Sequence, residues 1–199
     1  MNLWFRLIAL FFRSFRAEPF TRTNDVSILR GRVWPNDLDT SLHMNNGRYL
    51  TLLDHGRTDW LIRARLLGPV LSRGWVPVVT TAGVRFIREL RFWTRYRLET
   101  RIVGWTETQV FFEHRMYAET GRRAGSLAFL AILKAGLYDR SARGFVPIDD
   151  LFGISGLEGD QPALRGDITA LLDLEREMNT LGKAPSASDQ MEIKNDPNS

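Results

Sequence analysis

Between residues 37 and 46 the chain reads Asp37-Leu38-Asp39-Thr40-Ser41-Leu42-His43-Met44-Asn45-Asn46. A carboxylate with an imidazole four residues on can serve as base or nucleophile beside a partner that orients it or handles its proton. Asn45 is suited to cap a helix, because its side chain can accept from an otherwise unmet N–H of the first turn. The N–H groups of that turn, at the positive end of the helix dipole, can stabilise an oxyanion on a polarised carbonyl, a demand of acyl transfer that binding alone does not make. The same residue types also build ordinary turns and caps. On residue type alone both readings stand.

The elements around this stretch must position it. Val26 to Trp34 has the alternation of a first strand, ended by Pro35-Asn36. From Asn46 to Leu67, apolar residues at Tyr49, Leu50, Leu53, Trp60, Leu61, Ala64 and Leu67 predict a helix, with Gly68-Pro69 as its stop. Four strand-like runs follow: Pro77 to Arg88, Arg95 to Trp105, Gln109 to Glu119 and Gly125 to Tyr138. In the second, Leu98, Thr100 and Ile102 alternate with Glu99 and Arg101, as a sheet with one wet face requires. The last is apolar on both faces and belongs in the sheet interior. Strand, long helix, then four strands is an α+β order, an antiparallel sheet wrapped round one helix. Ile168 to Leu181 reads as a short amphipathic helix. The Ser-, Asp-, Asn- and Pro-rich stretch 183–199 is expected to be disordered. The boundaries expected are 1–20 for an N-terminal amphipathic helix, 21–150 for the domain, 151–182 for a helical extension and 183–199 for the tail.

Composition narrows the function classes. The 199 residues include no cysteine, which excludes a thiol nucleophile, disulfides and Cys-containing zinc patterns. His43, His55 and His114 are too few and scattered to suggest a metal site, and no cofactor is expected. There is no G-x-S-x-G elbow, Walker loop, G-x-G-x-x-G or H-E-x-x-H. A net charge of +4 and a pI of about 9.8 suit anionic partners, but no nucleic-acid module is present and none is expected to bind. In Met1 to Arg16, Leu3, Trp4, Leu7, Ile8, Phe11, Phe12 and Phe15 form one apolar face with Arg6, Arg13 and Arg16 expected opposite. The segment is too interrupted to span a bilayer. It reads either as a helix lying on a membrane surface or as one packing its aromatic face on the domain or on a partner subunit.

The run Asp37-x-Asp39-x-x-x-His43-Met44-Asn45-Asn46-x-x-Tyr49 resembles the D-x-D-x-x-x-H-[VM]-N-N-x-x-Y signature of the hot-dog thioesterases. Two branches are similar: acyl-CoA thioesterases of the 4-hydroxybenzoyl-CoA thioesterase type and the acyl-ACP thioesterases. Leu50, Asp54 and Arg57 sit where that family's central helix commonly has Leu, an acidic residue and Arg. The resemblance implies Asp39 as the catalytic carboxylate, His43 as its partner and the Asn46 N–H as carbonyl donor. Asn45 is then the cap, and Tyr49 and Asp54 pack and orient the helix. Ser41 stands at a substrate-contacting position where the acyl-ACP branch has Asn, and Leu42 where many acyl-CoA members have Gly. Among Arg85, Arg88, Arg91, Arg95 and Arg97, the first three are expected to meet the phosphates of CoA. The implied activity is hydrolysis of a medium- or long-chain acyl-CoA by a cytoplasmic homo-oligomer, dimer or tetramer, with peripheral membrane contact through residues 1–16. The alternatives are an acyl-ACP thioesterase and a non-catalytic acyl- or lipid-binding hot-dog protein.

Overall fold

The computed structural model describes residues 3–182, so the expectation of disorder over 183–199 lies outside the described residues. The elements in order are α1 (Leu3–Ser14), β1 (Ser27–Arg32), α2 (Asn46–Arg63), α3 (Leu67–Ser72), β2 (Trp75–Phe86), β3 (Arg95–Trp105), β4 (Val110–Ala118), β5 (Leu127–Asp139), β6 (Gly144–Phe145), α4 (Ile148–Ser155) and α5 (Gly166–Leu181). A single turn of 3-10 helix at Pro35–Asp37 leads from β1 toward α2.

The strands form one antiparallel sheet in the order β1-β3-β4-β5-β2, with β6 pairing β5. β5 lies between β4 and β2, the interior place its two apolar faces require, and β3 alternates buried and half-buried residues along its length. The long helix crosses β1 and β3 and closes the core over the sheet. Its first half buries Tyr49, Leu52 and Leu53 in a cluster with Leu98, Met116 and Phe129. Its second half buries Trp60 in another cluster with Ile102, Phe112 and Leu137. Each such side chain contributes roughly 1.5–3 kcal/mol when fully removed from water. Gly56 permits the close approach, since a Cβ there would stand 2.2 Å from Thr100 Oγ1.

The expectations for the end of the long helix, for Gly68-Pro69 and for α1 are corrected. The helix ends at Arg63, not Leu67: Arg65 turns left-handed at φ 59°. Gly68-Pro69 falls inside α3, because a proline in a first helical turn removes an N–H that has no helical partner anyway. The short β6 and α4 carry no periodicity long enough to predict them, yet Ile148 and Leu151 of α4 belong to the second core cluster. The largest correction concerns α1, which turns Arg6, Leu10 and Ser14 inward and leaves Trp4, Phe5, Ile8, Phe12 and Phe15 exposed. Arg6 is not on a solvated face with Arg13 and Arg16, and the aromatic face does not pack on the domain. The cause is a buried acid: Asp37, 1% exposed, is paired by Arg6 and by Arg48 Nε at 3.2 Å. Ser14 likewise donates to the buried Asp59, which also accepts from Ser27.

Among the described residues, those up to Leu164 form one compact unit and those from Arg165 a second, which contributes α5. Among the described residues no helix is long and apolar enough to cross a membrane.

A buried histidine gives the core a pH dependence. His114, fully buried on β4, bonds Thr100 Oγ1 through Nδ1 at 2.9 Å. Burial, with the Arg57 charge adding to it, holds its pKa well below the ordinary 6.5. The unfolded chain therefore takes up a proton that the folded one refuses. This contribution is fully present above about pH 6.5 and is lost on acidification, by up to about 1.4 kcal/mol per pH unit. Urea unfolding at pH 7.5 and 5.5 is expected to show the loss, and His114→Gln to flatten that part of the slope.

Candidate active site

The stretch 37–46 folds as a small hairpin feeding directly into a capped helix. Leu38 and Met44 form an antiparallel bridge, the Asp39 N–H donates to the His43 carbonyl at 2.9 Å, and the Leu42 N–H donates back to the Asp39 carbonyl at 3.1 Å. The Asn45 N–H donates to the Asp37 carbonyl at 2.8 Å, closing the base of the hairpin. A second segment holds it from the side: the Met44 N–H donates to the Leu90 carbonyl at 2.8 Å, and His43 bridges Arg91.

Within this frame Asp39 is half-buried, and its Oδ1 accepts the N–H of Ser41 at 2.9 Å and of His43 at 3.4 Å. The contact that joins Asp39 and His43 thus comes from the histidine backbone. Asn45 caps as expected, its side chain accepting from the Gly47 N–H at 2.8 Å. Asn46 is exposed as the first residue of α2, where helical geometry supplies no carbonyl for its N–H. A half-buried carboxylate, a half-buried imidazole and an orphan helix-start N–H therefore share one short hairpin and the helix that follows it. Such an arrangement can activate water or attack directly on one side of a carbonyl and stabilise the oxygen on the other.

The turn is formed at a cost. Leu42 occupies the left-handed region at φ 60° with its side chain 68% exposed. That conformation costs a non-glycine residue roughly 1–2 kcal/mol. Leu42→Gly is expected to raise stability by roughly 0.5–1 kcal/mol, the strain relieved less the added freedom of the unfolded chain. A thermal melt reads it, and an unchanged or lowered Tm would show that the leucine side chain contributes more than its backbone costs.

The remaining candidates divide. Ser41 is exposed beside Asp39. Arg91 joins the hairpin through its backbone bridge to His43, its guanidinium exposed and 3.1 Å from Glu89. Arg88, in the connection after β2, and Arg85, on β2 itself, are exposed, and no contact brings either to the hairpin. Tyr49 packs as expected, stacked on Phe129 at 5.0 Å, and its hydroxyl accepts the Leu90 N–H at 3.3 Å. Burial pushes its pKa up to about 12, so it remains a neutral phenol at physiological pH. Asp54 is largely exposed and paired with Arg57, so it does not pack in the core. Asp37, Arg48 and Arg6 were not legible as the base of the hairpin. Nor were Arg122 and Arg123, which with Arg91 and Glu89 line an open hollow beside the hairpin. The one sequence signal for the first group was that Asp37 opens the repeated-Asp pattern.

An apolar cavity of about 310 Å³ lies along the same helix. Arg57, Thr58 and Leu61 of α2 face Val78 and Val79 of β2, Leu137 of β5 and Phe152 of α4 across it, with Asp54 at its start. Asn46, Leu50, Asp54, Arg57 and Leu61 fall on one side of a helix, and none is fully buried. That stripe runs about 12 Å from the helix start to Asp54.

Residues 33–153 match the family described as the thioesterase-like superfamily. Protein THEM6 of Xenopus laevis is 35% identical over 88 residues, 44% of this chain and 42% of that protein. The chain spans about half the length of the curated relatives it matches. The 4-hydroxybenzoyl CoA thioesterase of Pseudomonas sp. strain CBS-3 superposes with a TM-score of 0.58 at 17% identity, over 65% of this chain and 98% of that one. The 1,4-dihydroxy-2-naphthoyl-CoA thioesterase of Synechocystis gives 0.58 at 14% identity, over 69% and 100%. At these identities the structural likeness shows the hot-dog fold, and the family match runs from just after β1 through the hairpin, α2 and strands β2 to β6 into α4. The chain is a hot-dog protein and belongs to the thioesterase-like superfamily.

Proposed function

We propose that the protein hydrolyses medium- or long-chain acyl-CoA to the free acid and CoA. The observation that carries this reading is the face of α2 that runs from Asn46, where the hairpin holding Asp39 ends, to Asp54 at the start of an apolar cavity. The thioester carbonyl sits between Asp39 and the Asn46 N–H. Either Asp39 takes a proton from a water that attacks the carbonyl, or Asp39 itself attacks to form a mixed anhydride that water then cleaves. In both routes that N–H holds the tetrahedral oxyanion, whose collapse breaks the C–S bond, and the CoA thiolate leaves with a proton. His43 handles the proton. The acyl chain runs along the stripe into the cavity, which an acetyl group is too short to reach. Arg91, Arg122 and Arg123 in the adjoining hollow suit the phosphates of the CoA nucleotide, with Ser41 at the approach. In this assignment Arg85 and Arg88 give way to Arg122 and Arg123.

A homodimer belongs to the same reading. Strand β2 pairs β5 on one side only and exposes Val79, Val84 and Phe86 on a twelve-residue edge strand. Left open, such an edge would recruit other chains, and a second copy would cover it. Contact with a membrane surface through residues 1–16 completes it.

Thiol release across saturated acyl-CoAs of graded length tests the reading. Turnover is expected to rise from acetyl-CoA toward the longer chains, and Leu61→Trp, which fills the cavity, to move the optimum to shorter ones. Acyl-pantetheine, which lacks the nucleotide, is expected to show a raised KM. No turnover with any chain would leave the acyl-binding alternative, and equal KM values for the two carriers would remove the arginine hollow from the site.

A further inference from the structure

The face of α1 that its sequence would bury is the face the structure leaves in water. Trp4, Phe5, Ile8, Phe12 and Phe15 are 69%, 64%, 51%, 63% and 67% exposed. At about 100° per residue they fall within an arc of about 100°. On the opposite side Arg6, Leu10 and Ser14 are buried. Four hydrogen bonds hold the helix in that orientation: Arg6 to Asp37 and to the Arg32 carbonyl, Arg13 to the Ile28 carbonyl, and Ser14 to Asp59. The aromatic side is therefore held outward by the domain itself.

We infer that this outward face of α1 docks on the surface of an anionic lipid bilayer while the helix stays attached to the domain. The inference deepens the membrane contact proposed above and rests on it. Charge selects the occupant. Residues 1–17 contain Arg6, Arg13 and Arg16 and no Asp or Glu. With Arg6 turned inward, Arg16 is exposed at the edge of the aromatic arc, and Arg13, exposed further round the helix, reaches the Ile28 carbonyl. At the end of the helix Phe15 shares a hollow with Arg63, Arg65 and Leu67, and Leu71 of α3 is 71% exposed. Apolar rings bordered by arginines match the layering of a bilayer interface, where the rings enter the acyl boundary and the guanidinium groups meet headgroup phosphates. A second copy offers no such match, since its own α1 face would bring arginines against arginines.

The 199-residue chain is sedimented with vesicles of phosphatidylcholine mixed with phosphatidylglycerol, and with phosphatidylcholine alone. Binding is expected to the mixed vesicles, to fall with salt, and to drop about tenfold or more in the double variant Phe12→Ser/Phe15→Ser. Hydrolysis of a soluble acyl-CoA without vesicles is expected to be unchanged in that variant. Three results would overturn the inference: no binding by the parent protein, equal binding by the variant, or a solution mass that halves in the variant, which would make a second copy the occupant. If the parent binds vesicles but turns over no acyl-CoA, the docking face stands and the thioesterase proposal fails. If it turns over acyl-CoA but binds no vesicle, the reverse holds.

Discussion

Asp39→Asn is expected to lower acyl-CoA turnover by about a thousandfold while Tm moves little. The reasoning separates two duties of one carboxylate. Oδ1 accepts the N–H groups of Ser41 and His43 and so helps to shape the turn. An amide oxygen can accept the same bonds, so the hairpin survives in the Asn variant, but an amide is neither a base nor a competent nucleophile. Asp39→Ala removes both duties and is expected to lose the same activity plus about 1 kcal/mol of stability. Single-turnover kinetics with a long-chain acyl-CoA, alongside melts of both variants, make the comparison. Rates within a few-fold of the parent in a folded Asn variant would remove Asp39 from the chemistry.

The second large effect is on folding. Asp37→Ala is expected to destabilise the protein by about 3–5 kcal/mol, because it leaves two guanidinium groups, Arg6 and Arg48, facing a buried space with no counter-charge. Arg6→Leu offers the useful contrast. It keeps Arg48 opposite Asp37 and replaces a buried cation with an apolar side chain, so its cost is expected to be smaller. Denaturant midpoints read both. If Asp37→Ala proves as mild as Arg6→Leu, the buried carboxylate is not the anchor of the hairpin.

Much of the sheet and the helix it covers was legible because their signals are periodic. Leu98-Thr100-Ile102 against Glu99-Arg101 marked β3, and the doubly apolar run 127–133 marked the interior strand. Asn45 as the cap was legible because capping is a local rule. What escaped was set by tertiary pairing. Nothing within α1 says that Arg6 will leave its basic neighbours, because the reason lies 31 residues away in Asp37. The helix stop was misplaced because Gly68-Pro69 is a strong local breaker, whereas Arg65 in a left-handed turn carries no such mark. Arg122 and Arg123 lie in the connection between β4 and β5, and only the fold brings them beside Arg91.

The placement of Arg6, Leu10 and Ser14 bears on how the protein should be handled. A sticky aromatic helix at one end of a chain invites removal to improve solubility, yet a protein begun after residue 17 would lose one of the two cations on Asp37 and a hydroxyl partner of Asp59. Trimming would exchange an aggregation problem for a folding problem. Serines at the outward Phe12 and Phe15 would remove the stickiness and leave the inward contacts whole.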